Sequence, residues 1–496
     1  MMQNYLKIFA VYLVIFTQML DTSIANLALV KIAPDLGIMV YNAAWIITAF
    51  GAGLVISFPL TSALSRCYCN DLLFVLASVV VILSSLGCGF AFSDVDFIIF
   101  RFLQGLSSGF LIVLSQSILF KIMGEDKRAM AVALWSSAIS LAPIVGPVIG
   151  GFVIQYFSWR WLFLINFPLM IVCLIFLVDE LEPKLKKNDG SSKVNYAALI
   201  AFAVAIASIQ YVLDFGEKLN WFSNIGILLC TVTFVVGMVL FYFFNKRNGL
   251  EVFDFAVFKD GNFSAAMAVM VVGNGLIFAS LIVLPIWLQM NYKMPAMNAG
   301  IVVAIGSAVA GLLSPFVGKY VRKEWYFFTA LVSLILTGIS FFMMSQYTLD
   351  ATFSQLASAR VVAGLGIVLF ATPLTAMSLL SITSDKVINA NSISMCLRIT
   401  SSNVFIALGF IQLQSQQHYT YESLLSNIQR PFIDAHFDHA FEYGSYLSDL
   451  VATLAMSSIF RSSGVTFFIL VVVLLLTRYY LNSTRKVSEK EVVEKA

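Results

Sequence analysis

Apolar residues in this chain come in blocks of about twenty, one after another along almost its whole length. A helix of about twenty apolar residues spans the roughly 30 Å of hydrocarbon in a bilayer. In hydrocarbon every backbone N–H and C=O must find its partner within the protein, and a helix satisfies them within its own segment. Composition agrees: 60% of residues are hydrophobic and 11% charged, whereas a soluble domain carries about 25% charged residues. The fold class that follows is an all-α polytopic membrane protein.

Fourteen blocks are legible, at 8–30, 43–64, 72–92, 97–120, 129–157, 161–178, 195–213, 222–244, 263–289, 297–318, 325–346, 354–381, 390–414 and 463–482. The first begins just after Lys7 and runs on through Asp21 to Val30. That is too long for the core of a signal peptide, so it reads as an uncleaved span. With the N-terminus placed in the cytoplasm, the external segments hold only Lys31, Arg160, Lys218, Lys293, Arg430 and Arg461 of the 30 Lys and Arg. Arg101, Arg360 and Arg398 lie within spans or at their edges, and the rest fall inside. Positive charge collects on the cytoplasmic side of membrane proteins. Both termini are therefore expected in the cytoplasm, and the expected location is the inner (cytoplasmic) membrane, multi-pass.

The remaining hydrophilic features carry little chemistry. All six cysteines lie in spans or cytoplasmic loops, which argues against a disulfide framework. Residues 415–462 read as one long external loop that holds His418, His436 and His439. Two imidazoles three residues apart can ligate a metal on a helix, but this stretch reads as a solvated loop and no metal site is expected. There is no P-loop, no nucleophile motif and no cofactor signature, so neither an enzyme nor an ATP-driven pump is expected. Nucleic acid is not an expected partner.

Charges inside the spans are more informative. An ionisable side chain at the bilayer centre costs about 2.5–3.5 kcal/mol or more, so it faces the protein interior or a wet path. Asp21 lies in the first span, Arg101 in the fourth and Arg398 in the thirteenth. Gln18, Asp21 and Ala25 share one helical face, with Asn26 close by; Arg101, Gln104, Gly105 and Ser108 share another. A carboxylate poised between burial, which favours its neutral form, and a nearby cation, which favours its charge, can exchange a proton as access changes side.

Ordered motifs extend this reading. They include Leu20-Asp21-Thr22 through Asn26, Arg101-x-x-Gln104-Gly105, Pro143-x-x-Gly146-Pro147-x-x-Gly150-Gly151, and Trp159-Arg160 through Asn166-x-Pro168. In the second half come Phe253-Asp254, Leu284-Pro285 to Gln289, Ala299-Gly300, Pro315 with Gly318, and Arg360 to Gly364-x-Gly366. In this order the chain resembles the major facilitator superfamily, and within it the fourteen-span drug:proton antiporter branch of multidrug efflux type.

The resemblance implies a major facilitator fold of two six-helix bundles plus two extra central helices. The N-terminal bundle would take residues 1–178, and residues 179–262 would form a linker with the two additional helices. The C-terminal bundle would take 263–482, followed by a cytoplasmic tail at 483–496. It also implies a proton-coupled exporter of small organic molecules, drugs or metabolites, working by alternating access. The alternative is a dedicated transporter of one metabolite such as a siderophore, with import as well as export open to it. Asp21 and Arg101 would couple protons. Gln18, Asn26, Gln104, Asn274, Trp287 and Gln289 would line the substrate cavity. Pro143, Gly146, Pro147, Gly150 and Gly151 would pack and gate, since small residues let helices approach and proline bends them. Implied partners are a small-molecule substrate, protons and the lipid bilayer, with a periplasmic adaptor and an outer-membrane channel.

The loop between the second and third spans departs from the family pattern. Arg66 stands where an acid is usual and Asp71 where an arginine is, so the charge latch expected at this gate has its signs swapped. One clear buried acid against two or three buried arginines points to a neutral or anionic substrate. Orientation is checked with reporters: a fluorescent protein fused at the C-terminus should fluoresce, and an export-dependent phosphatase there should stay inactive. The phosphatase inserted after Asn220 should be active.

Overall fold

The computed structural model describes residues 2–40, 43–124, 127–181, 194–246, 251–380, 382, 386–427 and 440–494. Among them there is no strand. The first half contains α1 (Met2–Asp35), α2 (Trp45–Leu64), α3 (Asn70–Gly89), α4 (Asp94–Met123), α5 (Arg128–Tyr156), a short α6 (Trp161–Leu164) and α7 (Asn166–Leu177). The central pair is α8 (Tyr196–Phe215) and α9 (Ile225–Lys246). Then follow α10 (Gly261–Met290), α11 (Ala296–Tyr320), α12 (Tyr326–Met344), α13 (Phe353–Leu379), α14 (Val387–Asn427) and α15 (Ala440–Glu494).

Among the described residues thirteen helices are long and apolar enough to cross a membrane, and Trp161–Leu177 is a shorter apolar stretch. Together they occupy the positions of the fourteen blocks. Two boundaries differ in ways that matter. The segment 415–462, expected as a loop, is helical over much of its described length: α14 runs on to Asn427, and the last span is Tyr446–Arg478. Its polar residues hide an apolar face, since Val451, Ala452, Ala455 and Met456 are all buried. His418 is exposed on α14, while Arg430, His436 and His439 lie outside the described residues. The seventh span was expected to stop at 213, yet α8 continues to Phe215 and takes Asp214 into the helix. Asp21 is therefore not the only acid inside a span.

Helix ends are set locally. Ser93 accepts from the Asp96 N–H at the start of α4, and Asn195 accepts from the Ala198 N–H at the start of α8. Thr352 and Gln355 form a reciprocal capping box on α13. Each gives a partner to an N–H that the helix itself leaves unpaired.

The chain divides into two compact units. The first contains residues 1–253 with 281–304 and 402–415. Its α2 and α4 touch backbone to backbone. A Cβ on Gly105 would fall on the Phe50 carbonyl, and one on Gly53 would fall on the Phe102 carbonyl. Helix α5 lies along α1, with Gly146 against Ser23 and Gly150 against Ile24. At one end charges tie four segments together. Lys7 pairs with Glu180 at 3.1 Å, Lys121 pairs with Asp71 at 2.9 Å, and Lys121 also donates to the Glu180 carbonyl. Within the α8–α9 pair, Asn195 Nδ2 donates to the Phe244 carbonyl at 2.7 Å and Phe202 and Phe241 cluster with Phe253, while Thr48 of α2 joins the pair to this unit by donating to Asp214 at 2.7 Å. Most of α9 is exposed and apolar, as suits a surface facing lipid.

The second unit contains residues 254–280, 305–401 and 416–496. It repeats the close packing of the first. A Cβ on Gly364 of α13 would meet the Gly306 carbonyl of α11, and one on Gly306 would lie 2.9 Å from the Arg360 carbonyl. Arg360 stands four residues before Gly364, as Arg101 does before Gly105, and both arginines are fully buried. Phe341 of α12 stacks on Phe467 of α15 at 5.4 Å. Asp254 pairs with Lys386 at 3.1 Å. The Ala256 N–H, with help from Lys386, holds the Asp254 carboxyl below the ordinary carboxylate range.

Overpacking a core costs about 1–3 kcal/mol, and a clash with backbone cannot be relieved by a rotamer change. Gly105→Val should therefore abolish monodisperse protein in size-exclusion profiles of detergent extracts. Gly318→Ala, which meets nothing within 4 Å, should leave the profile unchanged.

Candidate functional site

The polar faces anticipated on α1 and α4 meet inside the first unit. Asp21 is 3% exposed and accepts three hydrogen bonds. Asn166 Nδ2 reaches both carboxylate oxygens, at 3.0 and 2.8 Å, and Gln104 Nε2 reaches Oδ2 at 2.9 Å. Gln104 donates to Ser85 Oγ as well, at 3.0 Å. Its amide oxygen turns the other way and accepts from Arg101 Nη1 at 2.8 Å. Arg101 thus reaches Asp21 through one amide, without a direct ion pair. An amide suits this position because one end donates and the other accepts.

Arg101 is fixed from behind by α2. Its Nε donates to the Ile46 carbonyl at 3.1 Å, and its guanidinium lies 4.5 Å from the Phe50 ring and 5.5 Å from the Phe163 ring. Cation–π contacts of this kind are worth about 2 kcal/mol when desolvated. Phe97, Trp45, Trp159 and Phe163 pack edge to face beside them, with centroids 5.5–6.4 Å apart. The Trp159-Arg160 motif also anchors α1. Trp159 Nε1 donates to Asp35 at 2.7 Å, and Arg160 pairs with Asp35 at 3.3 Å.

The other expected residues fall as follows. Gln18 is fully buried; it accepts from Ser108 Oγ at 2.6 Å and faces the Met170 sulfur at 3.8 Å. Asn26 keeps a buried Oδ1 with no hydrogen-bond partner. Gln289 donates to the Leu27 carbonyl at 3.2 Å, and Trp287 is buried beside Tyr292 at 5.6 Å. Asn274 belongs to the second unit, where it donates to the Arg398 carbonyl at 3.2 Å. On α5, a Cβ at Gly151 would sit 2.7 Å from the Ala296 carbonyl, and the Pro147 carbonyl lies where a Cβ on Gly300 would be. Asp71 pairs with Lys121 of α4, while Arg66 is exposed and makes no ion pair among the described residues. The sign-swapped loop therefore does not close on itself.

Asn166 is the residue that reading the sequence by helical faces passes over. It stands in the quoted Trp159-to-Pro168 motif, and a lone amide in an apolar stretch was the available signal. Beside it an apolar cavity of about 350 Å³ opens among α1, α5, α6 and α7, lined by Leu20, Ile24, Val153 and Trp161, with Asn166 on its wall. That volume falls in the range of small-molecule sites.

Residues 11–409 match the family model of the Major Facilitator Superfamily. The chain belongs to that superfamily. It is a multi-pass membrane transporter. It is 30% identical to the Multidrug export protein EmrB of Escherichia coli (strain K12) over 397 residues, covering 80% of this chain and 77% of that one. It is 29% identical to the Fatty acid resistance protein FarB of Neisseria gonorrhoeae over 396 residues, covering 80% and 78%. The fold also matches the crystal structure of a bacterial homolog to the human lysosomal transporter Spinster, in an inward-facing and unoccupied conformation. That match has a TM-score of 0.63 at 13% identity and covers 96% of this chain and 98% of that one.

Stripping donors from a buried carboxylate costs about 1–3 kcal/mol. Asn166→Leu should lower the thermal unfolding midpoint in detergent. The Asp21→Asn/Asn166→Leu double variant should lose at least about 0.5 kcal/mol less than the sum of the two single losses, as coupled partners do.

Proposed function

We propose that this transporter exports small organic molecules by proton-coupled alternating access, with Asp21 as the proton site. The observation that carries the reading is the Asp21 carboxylate itself. It is buried in a span, held by three N–H bonds from neutral amides and kept one amide away from Arg101. A direct ion pair with Arg101 would hold the carboxylate ionised. Isolation without any cation would favour its neutral form. With Gln104 between them, the carboxylate can both take and give a proton as the surrounding helices move. The names of the relatives, multidrug export and fatty acid resistance, support outward movement of lipophilic compounds.

The helices that must move are also marked. In the first unit α5 meets the start of α11 along Gly151–Ala296 and Pro147–Gly300, and Gln155 accepts from the Met297 N–H at 3.2 Å. Small residues let the backbones touch without interlocking side chains, so the contact can part cleanly. At the charged end, Lys121, Asp71, Lys7 and Glu180 form a latch that supports switching, and charge-assisted bonds there would break in one state. The protein is proposed to sit in the inner membrane with both termini in the cytoplasm, working with a periplasmic adaptor and an outer-membrane channel.

The test uses purified protein in lipid vesicles with an imposed pH gradient and a panel of cationic, neutral and anionic lipophilic compounds. The wild type should accumulate members of the panel only when the gradient is present. Asp21→Asn should move them only downhill, with uphill accumulation reduced at least tenfold. An Asp21→Asn protein that still accumulates them at full rate removes the proposal.

A further inference from the structure

The α8–α9 pair carries a carboxylate that the proton reading of Asp21 does not use. Asp214 lies in the last turn of α8, inside the span. Both of its oxygens accept hydrogen bonds, and both donors are neutral. Thr48 Oγ1 of α2 reaches Oδ2 at 2.7 Å, and Gln210 Nε2 reaches Oδ1 at 3.0 Å. Among the described residues the ionisable groups around it offer no counter-charge. Helix α2 has none along its length. Helix α9 has Cys230, Tyr242 and Lys246, and Lys246 sits at the opposite end, near where Asn195 meets Phe244. On its own helix Tyr196 stands at the far end, and Tyr211 stacks on Phe215 at 5.0 Å. Glu217 and Lys218 follow in the turn; Lys218 is exposed, and burial pushes the Glu217 carboxyl above its ordinary range. The C-terminal end of a helix also carries partial negative charge, which opposes an anion in its last turn.

What Asp214 grips gives this a consequence. Thr48 is two residues from Ile46 and two from Phe50, and those two residues hold Arg101 through its Nε–H and its guanidinium face. Helix α2 therefore has Asp214 on one side and the Arg101–Gln104–Asp21 relay on the other. Thr48 also has a second acceptor within reach, the Ala44 carbonyl at 3.2 Å.

We propose that Asp214 is a second proton-binding group of this transporter, a positioning residue that grips α2 tightly when ionised and loosens that grip when protonated, and so sets how Arg101 is held beside Asp21. The step needs only a proton, drawn from water at the nearby turn of 216–220. Oδ2 takes the proton, and the Thr48 hydroxyl turns its hydrogen to the Ala44 carbonyl. The Asp214 O–H then donates to Thr48 Oγ1, which replaces a charge-assisted bond with a weaker neutral one. The inserted helix pair thereby becomes a pH-sensing element for the proton site. The effect on coupling rests on the reading of Asp21 above; the protonation of Asp214 itself does not.

Infrared difference spectra of the full-length protein in liposomes, taken across a pH series, separate the two claims. The wild type should show two carbonyl bands of protonated carboxyl groups. Asp21→Asn should remove one and Asp214→Asn the other. In Asp214→Asn, the proton concentration at which the Asp21 band is half lost should change by at least ~threefold, because the hold on Arg101 has altered. Thr48→Val keeps the acid but cuts the grip, so it should shift the Asp21 band too; it carries the same readout if Asp214→Asn does not fold. Asp214→Glu should restore the wild-type midpoint. The proposal is overturned if no band is lost in Asp214→Asn, or if the Asp21 midpoint stays put in both Asp214→Asn and Thr48→Val. Failure of Asp21→Asn to affect transport would remove the proton reading of Asp21 and leave the Asp214 band standing.

Discussion

A single amide, that of Gln104, decides what kind of site this protein has. It donates to Asp21, accepts from Arg101, and bonds Ser85 on a third helix. Without it two opposite charges on α1 and α4 would either collapse into an ion pair or remain unsatisfied in a low dielectric, and both outcomes are costly to reverse. With it, charge is shared across neutral bonds, and a proton can arrive or leave with small rearrangement. The surrounding architecture serves to keep this amide in place. The glycine contacts of α2 with α4 bring Ile46 and Phe50 onto Arg101, and the Trp159-to-Asn166 segment brings the second amide onto Asp21.

The same packing device appears in both units. Gly53 and Gly105 join α2 to α4, and Gly306 and Gly364 join α11 to α13, each pair beside a fully buried arginine. One difference in chemistry lies beside the arginine. Ala363 stands three residues after Arg360, where Gln104 stands three after Arg101. The second half therefore keeps the scaffold with an alanine at the position of the relay amide. In hydrocarbon there is little hydrophobic drive between helices, so close backbone approach is a principal source of association. The scaffold therefore repeats, while the bridging amide beside the buried arginine is that of Gln104.

Much of this was legible in the sequence, because bilayer thickness and backbone satisfaction leave few choices. Span positions and the faces carrying Asp21, Arg101 and Gln104 follow from spacing alone. What the spacing does not give is which faces meet. Asn166 lies on a separate helix, 145 residues from Asp21, and nothing local marks it as the partner. Asp214 was missed because apolar counting ends a span at the last hydrophobic residue, whereas the helix continues while its hydrogen bonds do. The 415–462 segment failed for a related reason: polar residues on one face lowered its average while Val451, Ala455 and Met456 were buried on the other. Asp71 and Arg66, close in sequence, diverge because Asp71 starts α3 and turns towards Lys121 of α4.

The central claim is that the buried carboxylate on α1 exchanges its proton against cargo. The most direct measurement is proton release in weakly buffered solution when purified protein binds a compound that the vesicle assay shows to be transported. The account predicts release from the wild type and none from Asp21→Asn at equal occupancy. Equal release from both proteins would contradict it.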